Sequence, residues 1–446
     1  MSPVTDIAAM DSRRNGMTLS GGGGSVVTLI FSVCGVQRSN RLGMSFKIRS
    51  ANDPGFSAGL PRTRYTCLVT EGLRRIRAMS EQHHGNAHNS AITVLVTGGA
   101  GFVGQALVGE LLATDSRLPV SEIRVFDVRE ASFTDSRVHM LRGDIRDRQA
   151  VRAAVAGVQV VFHLAAIVDW GTHPRAEVFG VNIDGTTHVI DACREHGVRV
   201  LVQTSSLDAI CDGTPIHDAD ESRPYPPRWP NAYCESKARA EQLVIAANGD
   251  TLRTTALRPC DVFGEGDPYH VSALVEMARR RPYVRIGDGT ARCQHVYVGN
   301  VAHALVLAAA ALLDGNTAPA GNAYFITDSP PSNFFTFFDA IVEQAGYRIV
   351  PPNLWIPRRL MYVLGCIAEA AAWILRPVHR FNPKISRFAV DYTCNDFTLN
   401  GDRARRDFDF APKYGEQEAI SRTAAYFREH GPVVRVQHPA PINATE

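Results

Sequence analysis

Residues Ile92-Thr-Val-Leu-Val-Thr-Gly-Gly-Ala-Gly-Phe-Val-Gly104 decide how the chain is read. The apolar run Ile92 to Val96 predicts a buried parallel strand. It ends in Thr97 and a glycine cluster, where Gly98, Gly101 and Gly104 have G-x-x-G-x-x-G spacing. A helical pattern comes next, with Ala106, Leu107, Leu111 and Leu112 on its apolar side. Strand, glycine turn and helix aim helix-start amides at a diphosphate. The glycines serve a tight turn, close backbone approach to phosphate, and close helix–strand packing. A glycine triplet alone also fits an ordinary strand-to-helix turn.

The second strand decides for the nucleotide. Glu122-Ile-Arg-Val-Phe-Asp127 ends in an acid roughly 20–30 residues on, where a ribose-binding carboxylate is expected. Asp127 would accept from both adenosine hydroxyls and repel a 2′-phosphate, which favours NAD over NADP. Arg129 weakens that exclusion. A third strand ends at Gly143-Asp144-Ile145. Asp144 can accept the adenine amino group while Ile145 packs on the ring; equally, Asp144 or Asp147 can cap the helix beginning near Gln149. The fourth strand, Val158 to Ala166, ends in small residues that let the central riboses pass. Its His163 reads as a packing or backbone-bonding residue. Alternating strands and helices up to Arg199-Val-Leu-Val-Gln-Thr-Ser-Ser206 predict an α/β fold with a doubly wound parallel sheet and ligands at the strands' carboxyl ends.

Thr204-Ser205-Ser206 therefore lies at the ligand edge, where a hydroxyl can donate to a substrate oxygen or simply close a turn. After a proline-rich loop, Tyr233-Cys-Glu-Ser-Lys237 opens a helix, and Tyr and Lys at i and i+4 share one face. A free tyrosine, with a pKa of about 10, is a poor base at neutral pH. A nearby ammonium is expected to lower it, by up to about 3 units at an effective dielectric of 20.

The whole chain is ordinary globular material: 446 residues, formal charge +2, 45% hydrophobic. The near-neutral balance gives no footprint for nucleic acid. Nine cysteines are scattered without a C-x-x-C pair; they read as reduced buried thiols of a cytoplasmic protein, and no metal ligands are assigned. Residues 1–90 are rich in Gly, Ser, Asn and Arg and read as a disordered extension. Its apolar stretch, Val26 to Val36, is too short to span a bilayer and lacks a clear cleavage site. Met79 is a plausible true start.

The pieces Thr97-Gly98 to Gly104, Gly143-Asp144-Ile145, His163-Leu-Ala-Ala166, Asn182-x-x-Gly185-Thr186, Thr204-Ser205-Ser206, Tyr233-x-x-Ser236-Lys237, Leu257-Arg258-Pro259 and His295 to Ala304 stand in one order over residues 91–315. As a set they resemble the extended short-chain dehydrogenase/reductase superfamily. Trp229-Pro-Asn-Ala-Tyr233, Gly321 to Asp328 and Phe381-Asn-Pro383 are similar to its 3β-hydroxysteroid dehydrogenase and sterol-4-carboxylate 3-dehydrogenase branch. The resemblance implies a Rossmann domain over 91–262, a substrate-binding region over 263–432 with a segment returning to the core at about 293–313, and a tail over 433–446. It implies Tyr233 as proton acceptor, Lys237 as its partner and ribose contact, Ser206 on the substrate oxygen (Ser205 being the neighbour that could exchange roles) and Asn182 holding a water linked to Lys237. Around the dinucleotide it implies Gly98, Gly101, Phe102, Val103 and Gly104 at the diphosphate and Asp127 at the ribose. Asp144 and Ile145 belong at the adenine, Leu164, Ala165, Ala166 and Thr204 along the middle, and Pro259 and Val262 by the nicotinamide. Phe263 and Gly299 stand where the superfamily often has tyrosine and aspartate, departures that bear on packing.

The implied reaction is NAD-dependent oxidation of a 3β-hydroxyl of a steroid or sterol to a ketone; a homodimer is compatible with it. Leu354 to Leu375 is apolar but interrupted by Arg358, Arg359 and Glu369. It reads as helices lining a greasy pocket or lying in a membrane surface, and not as a span. A nucleotide-sugar epimerase or dehydratase would share every cofactor residue. A non-catalytic dinucleotide sensor would typically have lost Tyr233 or Lys237.

Overall fold

The computed structural model describes residues 16–21, 25–30, 47–50, 91–169, 173–375 and 386–433. It divides into two units, residues 1–83 and 84–446. In the first, the strands Gly16–Gly21, Ser25–Ile30 and Lys47–Ser50 form an antiparallel sheet with Ser25–Ile30 in the centre. This differs from the disorder expected of the extension. The β-branched stretch Val26-Val-Thr-Leu-Ile30 favours extended backbone, while composition averaged over 90 residues conceals it. The remainder of that expectation, Phe381-Asn-Pro383 and most of the expected tail lie outside the described residues.

The second unit is built on seven parallel strands: β1 (Ile92–Thr97), β2 (Val120–Asp127), β3 (Val138–Arg142), β4 (Val160–His163), β5 (Val200–Thr204), β6 (Arg253–Pro259) and a last strand, Asn322–Ile326. Their order is β3-β2-β1-β4-β5-β6 and then Asn322–Ile326, and every pairing is parallel. The order reverses at β1/β4, which opens a crevice at the carboxyl ends. The doubly wound sheet is thus observed. Its final strand comes from beyond the 293–313 return segment.

Successive strand residues serve opposite faces. Val94 and Val96 join one core with Phe162, Val202 and Leu257, while Leu95 joins the other with Val161 and Leu201. The first face is covered by α1 (Phe102–Leu112) and a helix spanning Val298–Leu313; the second by α2 (Arg148–Val155), α3 (Gly185–Glu195) and α4 (Ala232–Ala246). Because both faces of the central strands β1, β4 and β5 are covered, these carry no polar alternation and read as apolar runs.

Beyond β6 the chain continues into β7 (Asp261–Phe263), which pairs in parallel with β8 (His295–Tyr297). α5 is the helix Val298–Leu313, α6 is Phe334–Gln344, α7 is Arg358–Leu375 and α8 is Arg387–Cys394. The apolar stretch expected to line a pocket or lie in a membrane surface is half outside. Met361 and Gly365 of α7 are buried, and a Cβ at Gly365 would meet the backbone of Ser386 and Arg387 at 3.1 Å. Leu360, Val363, Leu364, Ile367 and Ile374 stay exposed. Glu369, an obstacle to spanning, is bound by the Arg387 backbone N–H and side chain, each at 2.7 Å. Among the described residues no helix is long and apolar enough to cross a membrane.

Candidate active site

The glycine turn is built as its spacing demands. Gly98 has φ +71°, and a Cβ there would lie 2.7 Å from the Ala165 amide nitrogen. A Cβ at Gly104 would meet Gly98 O at 2.4 Å, so α1 can rest on β1 only with glycine there. Gly101 is the N-cap of α1 and, among the described residues, no side chain caps the helix. The amides at Phe102 and Val103 therefore start a helix whose positive end faces the crevice. Asp127, 7% exposed, ends β2; its Oδ2 accepts from Ala100 N at 3.1 Å and its Oδ1 from Arg129 N at 2.9 Å. The carboxylate thus also ties down the glycine loop.

Asp144 is not the helix cap. Asp147 is, accepting from Gln149 and Ala150, while Asp144 takes a forked ion pair from Arg146. Ile145 is 5% exposed, and a Cβ at Gly185 would meet its Cδ1 at 2.5 Å. Glycine in Asn182-x-x-Gly185 therefore makes room for Ile145, which is a core residue. An open depression lined by Arg146, Gly180, Asp184, Thr187 and His188 lies on this side, away from Tyr233, Lys237 and Ser206.

His163 bonds Thr97 Oγ1 through Nδ1 and Thr186 Oγ1 through Nε2, both at 2.8 Å. Thr186 already donates to Asn182 O, so it accepts, and His163 carries its proton on Nε2. Burial, seconded by Lys237, pushes its pKa down to about 3. It is a neutral structural histidine, as its position suggested. Asn182 sits in a π-turn, Gly180–Asp184, a local irregularity frequent at functional sites. It exchanges two bonds with the Ile167 backbone and donates to Ser236 Oγ at 2.9 Å. Ser236 donates on to Tyr233 O. Asn182 therefore docks the fourth-strand loop on α4.

Tyr233 lies in the first turn of α4, capped by Asn231. Tyr233 and Lys237 are 6% and 5% exposed. Lys237 Nζ donates to Thr204 O at 2.7 Å, at the end of β5. Burial brings Lys237 down to about 8, against Glu241 and Asp208. The expected lowering of Tyr233 does not occur in this structure. Burial, then the charge of Asp208, hold its phenol well above 10, with Ser206 pulling the other way. Desolvation of the phenolate dominates.

Asp208 escaped the sequence reading. It lies in the short turn Leu207–Ile210 capped by Ser206, and only the Ser-x-Asp spacing could have flagged it. Ser206 Oγ donates to Asp208 Oδ2 at 2.8 Å and accepts from Asp208 N at 3.2 Å. Burial pushes the Asp208 carboxyl up. Thr204 Oγ1 and Ser205 Oγ, both buried, have no hydrogen-bond partner among the described residues. Pro259 is buried and Val262 half-buried at the end of β6 and in β7. An uncapped helix, a glycine cradle that a Cβ would fill, and orphaned hydroxyls at the strand ends fit a dinucleotide.

Comparison with known proteins gives the family. Residues 95–354 match the model of the 3-beta hydroxysteroid dehydrogenase/isomerase family. A 3beta-hydroxysteroid-dehydrogenase/decarboxylase from Arabidopsis thaliana is 35% identical, covering 75% of this chain and 79% of its own. Human 3 beta-hydroxysteroid dehydrogenase type 7 is 33% identical over 76% of this chain and 96% of its own. A 3 beta-hydroxysteroid dehydrogenase/Delta 5-->4-isomerase from Mycobacterium tuberculosis is 34% identical, over 75% and 90%. Among solved structures, a dTDP-glucose 4,6-dehydratase from Streptomyces venezuelae with NAD bound superposes with a TM-score of 0.58 at 20% identity, covering 76% of this chain and 97% of that one. UDP-glucose 4-epimerase from Thermotoga maritima gives 0.58 at 20%, covering 76% and 99%. At that identity the likeness is one of fold.

Proposed function

The chain belongs to the 3-beta hydroxysteroid dehydrogenase/isomerase family, and from that premise we propose that it oxidises the 3β-hydroxyl of a steroid or sterol to the 3-ketone with NAD. It is an oxidoreductase acting on CH–OH, with a dinucleotide cofactor. The observation that carries the residue assignment is the burial of Tyr233, Lys237 and Ser206 at the carboxyl ends of the strands, beside the cradle.

Secondary alcohol and NAD+ give ketone, NADH and one proton. Bound, the oxidised nicotinamide supplies the hydride acceptor and a positive charge. The chain's own residues handle the proton. Tyr233 takes it from the hydroxyl. Lys237, held by Thr204 O, opposes the negative charge that develops on the phenol. Ser206 steadies the substrate oxygen. As it stands, the Ser206 hydrogen is committed to Asp208. When Asp208 is protonated, which its burial favours, the bond reverses and Ser206 Oγ–H is released to the substrate. Asn182 acts by positioning the loop after β4 against α4. A 4-carboxylate on the sterol would make the product a β-keto acid prone to lose carbon dioxide.

The test is a screen of the purified protein with NAD and NADP against 3β-hydroxysteroids, 4-carboxysterols and UDP-sugars, following reduced-cofactor absorbance. Turnover of a 3β-hydroxysterol is expected; turnover of a UDP-sugar alone would overturn the substrate assignment. Asp127 supports the choice of NAD. Asp127→Asn removes the charge but keeps an acceptor for Ala100 N. The NAD-to-NADP ratio of kcat/KM is expected to fall by about tenfold or more, since a hydrogen bond to a charged group is worth about 1.5–3 kcal/mol.

The exposed face of α7 supports contact with a bilayer surface, where such a substrate partitions. Its apolar residues recur at helical spacing, with Arg358 and Arg359 at the start. Ile367→Glu is expected to abolish co-sedimentation with anionic phosphatidylcholine/phosphatidylserine vesicles while leaving turnover of a detergent-solubilised sterol unchanged. Undiminished sedimentation would remove α7 from the contact.

A further inference from the structure

We propose a zinc-type metal site formed by Asp261, Cys293 and His295, apart from the hydride chemistry. The register of the fold assembles it. β7 and β8 pair in parallel with Asp261 opposite His295. Cys293 stands two residues before His295, on the side of the extended chain that His295 faces. One donor atom from each residue, a carboxylate oxygen, a thiol sulfur and an imidazole nitrogen, lies within 4.8 Å of the others, and all three residues are buried. Asp261 and Cys293 are each 5% exposed and His295 is fully enclosed.

A second observation points to a missing ligand. Among the described residues His295 Nδ1 has no hydrogen-bond partner; Asp261 Oδ2 stands 3.7 Å from it. On the other side Nε2 is 3.7 Å from Cys293 Sγ. The face of the ring stacks on Phe337 at 4.1 Å between centroids, which holds the imidazole in place. Leaving a buried nitrogen unpaired costs about 1–3 kcal/mol. A tetrahedral ion with bonds of about 2.0–2.3 Å holds its donors about 3.3–3.5 Å apart. Asp261 and Cys293 face different nitrogens of His295, so the ion takes one of the two; one donor from each residue then lies within 4.8 Å of the others, and the side chains turn inward to close on it.

The surroundings suit a metal better than a nucleophile. Tyr392 of α8 donates to Asp261 Oδ1, which orients the carboxylate and leaves Oδ2 toward His295, the way outer hydrogen bonds fix ligands. His270 Nε2 borders the same carboxylate at 3.9 Å. Cys293 donates its thiol to Ser332 O at 3.6 Å, and an enclosed thiol has no approach for an acyl or carbonyl carbon. Thiolate, imidazole and carboxylate together select Zn²⁺ among common divalent ions. Enclosed as it is, the ion would enter during folding and would staple β7 to β8 beside the substrate region.

The full chain, produced in zinc-supplemented medium and purified without a metal-binding tag, is expected to carry about one zinc per chain by mass spectrometry. Cys293→Ser and His295→Asn are expected to lower this at least fivefold. Refolding the wild type with Co²⁺ is expected to give a thiolate-to-cobalt absorption band. That measurement needs no variant to fold. Wild-type protein without stoichiometric zinc and without the cobalt band would overturn the site, as would zinc content unchanged in both variants. Neither readout requires turnover, so they stand or fall separately from the dehydrogenase reading.

Discussion

Tyr233→Phe is expected to lower kcat on a 3β-hydroxysterol by about 10³–10⁴-fold, at the upper end of what a positioned general base contributes. The substitution deletes one oxygen from a side chain that is 6% exposed and leaves the ring to pack as before. Dinucleotide affinity, measured by quenching of protein fluorescence, should stay within about threefold, because the glycine turn and Asp127 are untouched. The two readouts separate a chemical role from a structural one. Without ligands the phenol sits well above 10 through burial and the charge of Asp208, and the base becomes available as pH rises. The ascending limb of kcat against pH in the wild type should therefore be missing from the residual activity of the variant. A variant retaining more than a tenth of wild-type kcat would remove Tyr233 from the chemistry.

The second large effect is on stability. Glu241, one turn beyond Lys237 on α4, is fully buried and receives Arg258 of β6 through Nε at 2.9 Å and Nη2 at 2.6 Å. Tyr225 donates to the same carboxylate at 2.6 Å. Glu241→Gln leaves the Arg258 guanidinium enclosed without a counter-charge, and the cost of breaking such a pair is about 3–5 kcal/mol. Denaturant unfolding should show that loss. Replacing both partners by apolar residues, Glu241→Leu with Arg258→Met, should recover most of it, because neither charge then needs compensation. A double variant as unstable as the single one would mean that the pair itself, and not the orphaned charge, holds α4 on the sheet.

Much of the fold was legible because the sheet is covered on both faces. Its central strands β1, β4 and β5 are short apolar runs, and Gly98, Asp127, Gly143 and Thr204 mark strand ends at the carboxyl edge. The pairing of Tyr233 with Lys237 on one helix face was legible for the same local reason. What local spacing could not convey was the field inside the folded site. The sign of the Tyr233 shift is set by depth and by Asp208, a residue whose sequence neighbourhood suggests only a turn. Nor could it join Asp261 to His295, because their proximity comes from a parallel register between distant segments. The face of α7 was ambiguous for a related reason. An apolar run states what avoids water, and whether protein covers it depends on Ser386 and Arg387 meeting Gly365.

The strand Asn322–Ile326 bears on how the protein can be made. It closes the open edge of β6, yet the ribosome delivers it some sixty residues after Pro259 (326 − 259 = 67 to its last residue). Until then, the nascent nucleotide half offers an unpaired row of backbone donors and acceptors, a template for intermolecular association. A fragment terminated at residue 262 would keep that row unpaired permanently. The two halves suggested by motif content are therefore not units of synthesis or of engineering, and any productive cut must fall beyond Ile326.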